Sequence, residues 1–149
     1  MKSFNNQVVS FLFIALLVFV AYSFASDKEP KAPKVSGSSF GKIKVNGTLY
    51  EKDIVIEGTT VRTRKKGPSK KFREKYNHTP LTHLEDIPWD CEVLVIGIGM
   101  SERLPVTEKF KAVAKKKGVT LIMMRTPEAV KYYNKNYTKN MNAIFHITC

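Results

Sequence analysis

Cysteine and histidine are scarce in this sequence. The 149 residues include two cysteines and three histidines. Two cysteines are too few for a disulfide-rich scaffold or for a zinc site built from paired Cys-x-x-Cys motifs, and the histidines lack the spacing of metal ligands. The sequence therefore predicts no metal site.

Acidic residues are few relative to basic ones. Lysine and arginine number 25 against 13 aspartates and glutamates, which gives a formal net charge of +12. A surface of this charge attracts polyanions, anionic lipid or acidic proteins. The length fits one modest domain, and a hydrophobic content of 43% is enough to build its core. These values exclude a multidomain enzyme and a wholly disordered chain.

Charge is absent from residues 8–25, VVSFLFIALLVFVAYSFA. Lys2 precedes this apolar run, and Ser23-Phe24-Ala25 forms a small-x-small cleavage site, so residues 1–25 are predicted to be a secretory signal peptide. Eighteen helical residues span about 27 Å, so an uncleaved anchor is the alternative. The protein is thus expected to be secreted, or membrane-anchored in the secretory pathway if the leader is retained.

Composition changes twice after the leader. Residues 26–38 are rich in Pro, Lys, Gly and Ser without periodicity, which predicts a flexible linker before a domain over 39–149. Alternating residues around the turns Asn46-Gly47 and Glu57-Gly58 predict a small β-meander. Its predicted strands are 41–45, 48–50, 53–56 and 59–64.

The second half of the chain alternates between strand and helix patterns. The predicted elements are a strand at 91–98, a helix at 105–117 ended by Gly118, a strand at 119–124, a helix capped by Thr126, and a strand at 142–148. Right-handed crossovers would make these three strands parallel, with helices covering the sheet. The predicted fold is a single compact α/β domain, an N-terminal β-meander followed by β-α-β-α-β with a mixed sheet.

One stretch, residues 62–75, concentrates the positive charge. The sequence RTRKKGPSKKFREK contains eight basic residues and one acid. It predicts either an anion-binding patch or a solvated loop that runs into one turn of helix, and Gly67-Pro68 favours a loop excursion outside the core. The candidate patch residues are Arg62, Arg64, Lys65, Lys66, Lys70, Lys71, Arg73 and Lys75.

Gly97 and Gly99 follow a buried strand, where open α/β sheets place ligand crevices and where backbone N–H groups can meet an anion. With Ser101 they form a candidate ligand site, and a purely structural glycine turn is the alternative. No third glycine and no ribose-binding acid follow, so no dinucleotide or other cofactor is predicted. Ser101 also lacks the G-x-S-x-G context of a nucleophilic serine.

The two cysteines are candidates for catalysis and for disulfide formation. Cys149 and His146 point to opposite faces of a strand, which argues against a Cys-His hydrolase. In an oxidising compartment Cys91 and Cys149 either pair as a disulfide or remain free thiols.

For a eukaryotic chain, N-x-Thr motifs predict N-glycosylation. The acceptor residues are Asn46, Asn77 and Asn136.

Three segments together resemble a known family. The runs VLVIGIGMSERLPV (93–106), RTPEAVKYYN (125–134) and the closing FHITC (145–149) are similar in order and spacing to the Mth-nine-three-eight (Mth938) domain family. The resemblance covers about 39–149 and implies a compact α/β domain to which no enzymatic activity is firmly attached. More distantly, the chain resembles a mitochondrial complex I assembly factor.

The expected function is therefore that of a non-enzymatic protein-interaction or assembly module with an unknown protein partner. The alternative is a binder of anionic ligands, such as a glycan, a lipid headgroup or another polyanion, through the basic stretch. Nucleic acid is disfavoured as a partner, because the leader directs the chain away from the nucleus and few aromatics interleave with the basic residues. Contact with a membrane is expected only if the leader is uncleaved.

Overall fold

The structure is a computed structural model that describes residues 31–149. The predicted signal peptide and residues 26–30 of the predicted linker lie outside the described residues. Within 31–149, no helix is both long and apolar enough to cross a bilayer. The elements are β1 (Val35–Ser39), β2 (Lys42–Val45), β3 (Thr48–Tyr50), β4 (Ile54–Glu57), β5 (Thr60–Thr63), a 3-10 helix (Gly67–Phe72), α1 (Arg73–Tyr76), β6 (Val93–Ile98), α2 (Glu108–Lys116), β7 (Thr120–Met124), α3 (Thr126–Asn136) and β8 (Met141–His146).

A five-stranded sheet with the order β5-β4-β8-β6-β7 forms the centre of the fold. β6 pairs in parallel with both β7 and β8, whereas β4 pairs antiparallel with β8 and β5. The sheet is mixed, and its parallel part comprises the three strands of the second half of the chain. The prediction of an α/β domain with three parallel strands in a mixed sheet is confirmed.

The N-terminal strands divide between two sheets rather than forming one meander. β1, β2 and β3 make a separate antiparallel sheet, while the β4-β5 hairpin joins the large sheet beside β8. The linker prediction is wrong from Val35 onward, because β1 pairs with β2 and the Val35 side chain is buried in the core. The glycine and serine content of this segment concealed its strand pairing.

Two hydrophobic cores lie on opposite faces of the large sheet. One contains Val95 and Phe145 from the sheet with Tyr133 from α3, and the three-stranded sheet packs against the same core. The other contains Leu94 with Phe110 from α2. β7 and β8 flank β6 on opposite sides, so the two right-handed crossovers place α2 and α3 on opposite faces.

The ends of the helices differ from the predictions in two places. α2 begins after Thr107, whose Oγ1 accepts from the Phe110 N–H at 3.3 Å, and not at Pro105. α3 is capped by Arg125, and Thr126 is its first residue. The Thr126 hydroxyl instead donates to the His146 carbonyl at 2.5 Å and so links the start of α3 to the end of β8. Gly118, with φ of +72°, follows the end of α2 as predicted.

Candidate functional site

Four ionisable side chains from separate parts of the chain meet in a buried group, which we call the ion cluster. They are Asp53, Arg64, Glu85 and His146. The antiparallel register of β4 and β5 ends on the pair Ile54 and Thr63, so Asp53 and Arg64 come next to each other at the open end of the hairpin. A loop supplies Glu85, and the last residue of β8 supplies His146.

Arg64 is the centre of the cationic half of the ion cluster. Its side chain is 1% exposed. The guanidinium donates through Nε and Nη2 to the two carboxylate oxygens of Glu85, both at 2.7 Å, and through Nη1 to Asp53 Oδ2 at 3.1 Å. Nη2 also donates to the Pro80 carbonyl at 3.0 Å. These two charge-assisted hydrogen bonds to the Glu85 carboxylate fix the plane of the guanidinium. They also offset the free-energy cost of burying its charge.

Asp53 is the anionic hub, and its carboxylate accepts from four groups. Besides Arg64, these are His146 Nδ1 at 2.7 Å, Lys66 Nζ at 2.8 Å and the Ile147 N–H at 3.2 Å. Burial would raise the pKa of Asp53, but the hydrogen bond and charge of His146, together with Lys66, outweigh it. The pKa therefore lies well below its usual range, and Asp53 is ionised at neutral pH.

A pocket of about 380 Å³ opens over the ion cluster. Asp53 and Arg64 contribute to its floor, and three lysines line it, so we call it the lysine pocket: Lys52, Lys66 and Lys70. Lys52 and Lys70 are exposed. Glu51 also lines the pocket, and its carboxylate lies 3.8 Å from the Lys42 ammonium. The pocket thus presents an excess of positive charge to solvent.

The basic stretch is neither a uniform patch nor a loop outside the core, although it does run into the predicted helical turn at Gly67–Tyr76. Arg64 is buried, Lys66 binds Asp53, and Arg62 lies within 3.5 Å of Glu57 and within 3.3 Å of Asp86. Ser69 is also buried, and its hydroxyl forms a hydrogen bond with the Thr82 hydroxyl at 2.7 Å. The stretch packs on the domain, and its acidic partners lie outside residues 62–75, so a charge count within the stretch does not reveal them. Five of its cations remain exposed: Lys65, Lys70, Lys71, Arg73 and Lys75.

The glycines of the candidate ligand crevice serve close packing. A Cβ at Gly97 would come within 2.7 Å of Thr126 Oγ1, and one at Gly99 would collide with the main-chain oxygen of Cys149. The Gly99 N–H donates to Thr126 Oγ1 at 3.0 Å, and the Met100 N–H donates to the Thr148 carbonyl at 2.8 Å. These two amides are already bonded within the domain, while Ser101 is exposed.

The two cysteines lie at opposite ends of the sheet and are free, so the disulfide alternative is wrong for this fold. Cys91 precedes β6, whereas Cys149 follows β8, and these strands run parallel with Ile98 opposite His146. Six strand residues at about 3.3 Å each separate the two ends by roughly 20 Å, and a disulfide needs Cα atoms within about 7 Å. Cys149 Sγ instead lies 3.7 Å from His78 Nδ1, a pairing that the sequence did not indicate.

The remaining predicted positions are accessible. Asn46, Asn77 and Asn136 are all exposed, at the β2-β3 turn, after α1 and at the end of α3 respectively. Among residues 31–149, no group of three or more His, Cys, Asp or Glu side chains is arranged to hold a metal ion.

Four residues belong to the site although sequence reasoning did not select them: Lys52, Asp53, Glu85 and His146. A usable signal existed for Asp53: extending the predicted hairpin by one residue pair places it opposite Arg64. No comparable signal existed for Glu85, because a loop brings it to the cluster.

The mixed five-stranded sheet with helices on both faces defines the class of protein, a small α/β domain. The family described as "Protein of unknown function (DUF498/DUF598)" matches residues 35–146, and the chain belongs to it. A solved structure that is 26% identical to this chain is named MT938, and this match confirms the resemblance noted in the sequence.

Solved structures with the same fold come from archaea and bacteria. Conserved hypothetical protein PH1505 from Pyrococcus horikoshii OT3 is 25% identical, with a TM-score of 0.63 over 78% of this chain and 99% of that one. The structure named MT938 is 26% identical, with a TM-score of 0.61 over 79% and 100%. A Mth938-like domain protein from Bordetella pertussis is 16% identical with a TM-score of 0.53 over 77% and 85%, so it supports the fold alone.

Proposed function

We propose that this domain is a non-enzymatic protein-interaction or assembly module that holds an acidic segment of its partner protein in the lysine pocket. The observation that carries the proposal is the placement of exposed lysines around a carboxylate that is already neutralised. Asp53 is bound by Arg64, Lys66 and His146, so its charge does not cancel the field of Lys52 and Lys70. An acidic segment would therefore meet a positive pocket of fixed shape.

The bonding inside the ion cluster supports a binding role over a chemical one. A general acid or base must have a group free to exchange a proton with substrate. Asp53 accepts from four donors, and the Glu85 carboxylate is bound by both of its oxygens to Arg64. His146 forms a hydrogen bond to Asp53 through its Nδ1, and its Nε2 lies 3.0 Å from Thr148 Oγ1. These groups hold one another and thereby fix the floor of the pocket.

A labelled peptide of ten glutamates is a suitable probe, with affinity measured by fluorescence anisotropy at low and physiological salt. The double variant Lys52→Gln/Lys70→Gln should bind about tenfold more weakly, equivalent to about 1.4 kcal/mol. Lys115→Gln/Lys116→Gln on α2 is the matched control, because it removes the same charge from an exposed helix outside the pocket. Equal losses in the two variants would show that net charge alone attracts the peptide and would contradict the pocket.

A second candidate function is binding of glycans, lipid headgroups or other polyanions through the exposed part of the basic stretch. The observation in its favour is that Lys71 lies over the Phe72 ring and Lys75 over the Tyr76 ring, at 5.2 and 5.6 Å from the ring centroids. These contacts present ordered cations beside aromatic faces, a surface that suits sulfated or phosphorylated ligands.

Retention on heparin separates this candidate from the first. A variant with glutamine at four exposed cations should elute at a lower salt concentration, and its lysine pocket is intact. The four positions are Lys65, Lys71, Arg73 and Lys75. The matched control places glutamine at four exposed lysines of α2 and α3: Lys115, Lys116, Lys131 and Lys135. Equal elution of the two variants would exclude a specific role for the basic stretch.

We place this function in the secretory pathway, with cleavage after Ala25 and secretion of the mature chain. Retention as a membrane anchor is the alternative, and nucleic acid is not a proposed partner. The apolar run at 8–25 supports the location, and the exposure of Asn46, Asn77 and Asn136 is compatible with glycosylation there. N-terminal sequencing of the native protein and its mass shift on glycosidase treatment test both points. An intact Met1 on an unglycosylated chain would contradict them.

A further inference from the structure

The last three residues of the chain are fixed in place although they lie beyond β8. The Ile147 carbonyl accepts from the Gly41 N–H at 2.6 Å, and the Thr148 carbonyl accepts from the Met100 N–H at 2.8 Å. The main chain of Cys149 packs directly on Gly99, where a side chain would collide with it. The Cys149 thiol therefore has a defined position on the domain.

An imidazole from a distant part of the chain meets this thiol. His78 Nδ1 lies 3.7 Å from Cys149 Sγ, within hydrogen-bond range for sulfur, and both side chains are half-buried. Asn77, which adopts a left-handed conformation with φ of +56° at the end of α1, turns the chain just before His78. A thiol beside an imidazole can transfer its proton to the ring nitrogen and become the nucleophilic thiolate.

Cys91 provides a natural comparison within the same molecule. Its thiol faces the Pro88 carbonyl, with 3.4 Å between Sγ and the oxygen. A carbonyl accepts a hydrogen bond but does not remove the proton, and burial raises the pKa of Cys91. The two half-buried cysteines thus differ in the group that faces the sulfur, and this difference predicts unequal reactivity.

We propose that Cys149 is a modification site that undergoes thiol-disulfide exchange with small disulfides, with His78 as its proton acceptor. His78 Nδ1 takes the thiol proton, and Sγ attacks one sulfur of the disulfide. A new S–S bond forms to Cys149 as the old S–S bond breaks, and the second half leaves as a thiolate that takes the proton from His78. Cys149 is oxidised and the departing sulfur is reduced, so no other oxidant is required.

The experiment uses the full chain in mild detergent with oxidised glutathione as the probe. Peptide mass spectrometry at successive times gives separate rates of glutathionylation for Cys149 and Cys91. Cys149 should react about tenfold faster or more in the folded protein, and the two rates should converge when the chain is unfolded in urea. Equal rates in the folded protein would overturn the proposal, whatever the behaviour of any variant.

Histidine variants test the assignment of the proton acceptor. His78→Asn should slow the reaction at Cys149 by about tenfold while leaving Cys91 unchanged. His83→Asn is the matched control, because it removes a half-buried imidazole that lies elsewhere, beside Phe72 and Tyr76. Melting temperatures confirm that each variant is folded. An unchanged Cys149 rate in folded His78→Asn, or an equal loss in both variants, would remove His78 from the reaction.

Discussion

Arg64 and Lys65 are neighbours in sequence with opposite environments. The Arg64 side chain is 1% exposed and enclosed by carboxylates, whereas Lys65 faces solvent. The strand that precedes them decides this, because successive side chains point to opposite sides of an extended chain. The two adjacent positive charges thus have different roles: Arg64 neutralises buried carboxylates, and Lys65 contributes to the electrostatic field outside the domain.

The same division separates the basic stretch as a whole. Three of its cations, Arg62, Arg64 and Lys66, are paired with acidic residues, whereas the other five are exposed. A buried ion pair contributes little net stability compared with a well-packed apolar group, but breaking one leaves a charge stranded. Substitution should therefore have a large effect at the buried Arg64 and small effects at the five exposed cations.

The largest effect is expected for Arg64→Ala. The substitution leaves Glu85 buried without its cation and removes one of the cations bound to Asp53, which should cost about 3–5 kcal/mol of unfolding free energy. Urea denaturation measures the loss, and Lys65→Ala is the control, with an expected change within about 0.5 kcal/mol. Similar values for the two variants would mean that Arg64 is not buried as described.

Gly99→Ala tests how the chain terminus is held. Gly99 has φ of +102°, and an added Cβ would collide with Cys149, so we expect a loss of about 3 kcal/mol. Gly47→Ala provides the matched control, since Gly47 has φ of +84° but open space around it. The control isolates the backbone strain, and an equal loss in both variants would show that the terminus does not pack on Gly99.

Acidification should weaken the ion cluster. The pKa of Asp53 is lower in the folded chain than its unfolded value of about 3.9, so its contribution is present above that pH and is lost as pH falls below it. The pH-dependent part is on the order of 2 kcal/mol. Denaturation of wild type and Asp53→Asn at pH 7, 5 and 3 should show their difference shrinking at pH 3. A constant difference would contradict the assigned direction.

The smallest effect is expected for glutamine at Lys65, Lys71, Arg73 and Lys75 together. These side chains are exposed, so each substitution should change stability by no more than about 0.5 kcal/mol. Thermal melting measures the change. A loss comparable to that of Arg64→Ala would place these residues in the packed interior.

The sequence predicted the parallel part of the fold because its signals were local. The apolar run of β6 and the glycine that ends α2 both lie within or beside the elements they define. The partner of the β4-β5 hairpin was not predictable in this way. It is β8, the last strand of the chain, and no local pattern in the hairpin selects it.

The candidate site was harder to predict because it depends on contacts between distant residues. Charge density selected Arg64 and Lys66 but gave them an exposed role, since Asp53 and Glu85 lie in other segments. Similarly, Cys149 could be compared with His146 by strand geometry, while the approach of His78 follows from a turn beside α1. The sequence thus indicated which residue types could belong to a site, but not which residues they contact.

The lysine pocket is most directly tested by nuclear magnetic resonance of the ¹⁵N-labelled full chain titrated with the ten-glutamate peptide. We predict that the largest amide shifts fall on the pocket wall, at Lys52, Lys66, Gly67, Lys70 and Thr148, and that added salt reduces them. Shifts confined to residues 71–75, or to the exposed lysines of α2, would contradict the pocket as the site of partner binding.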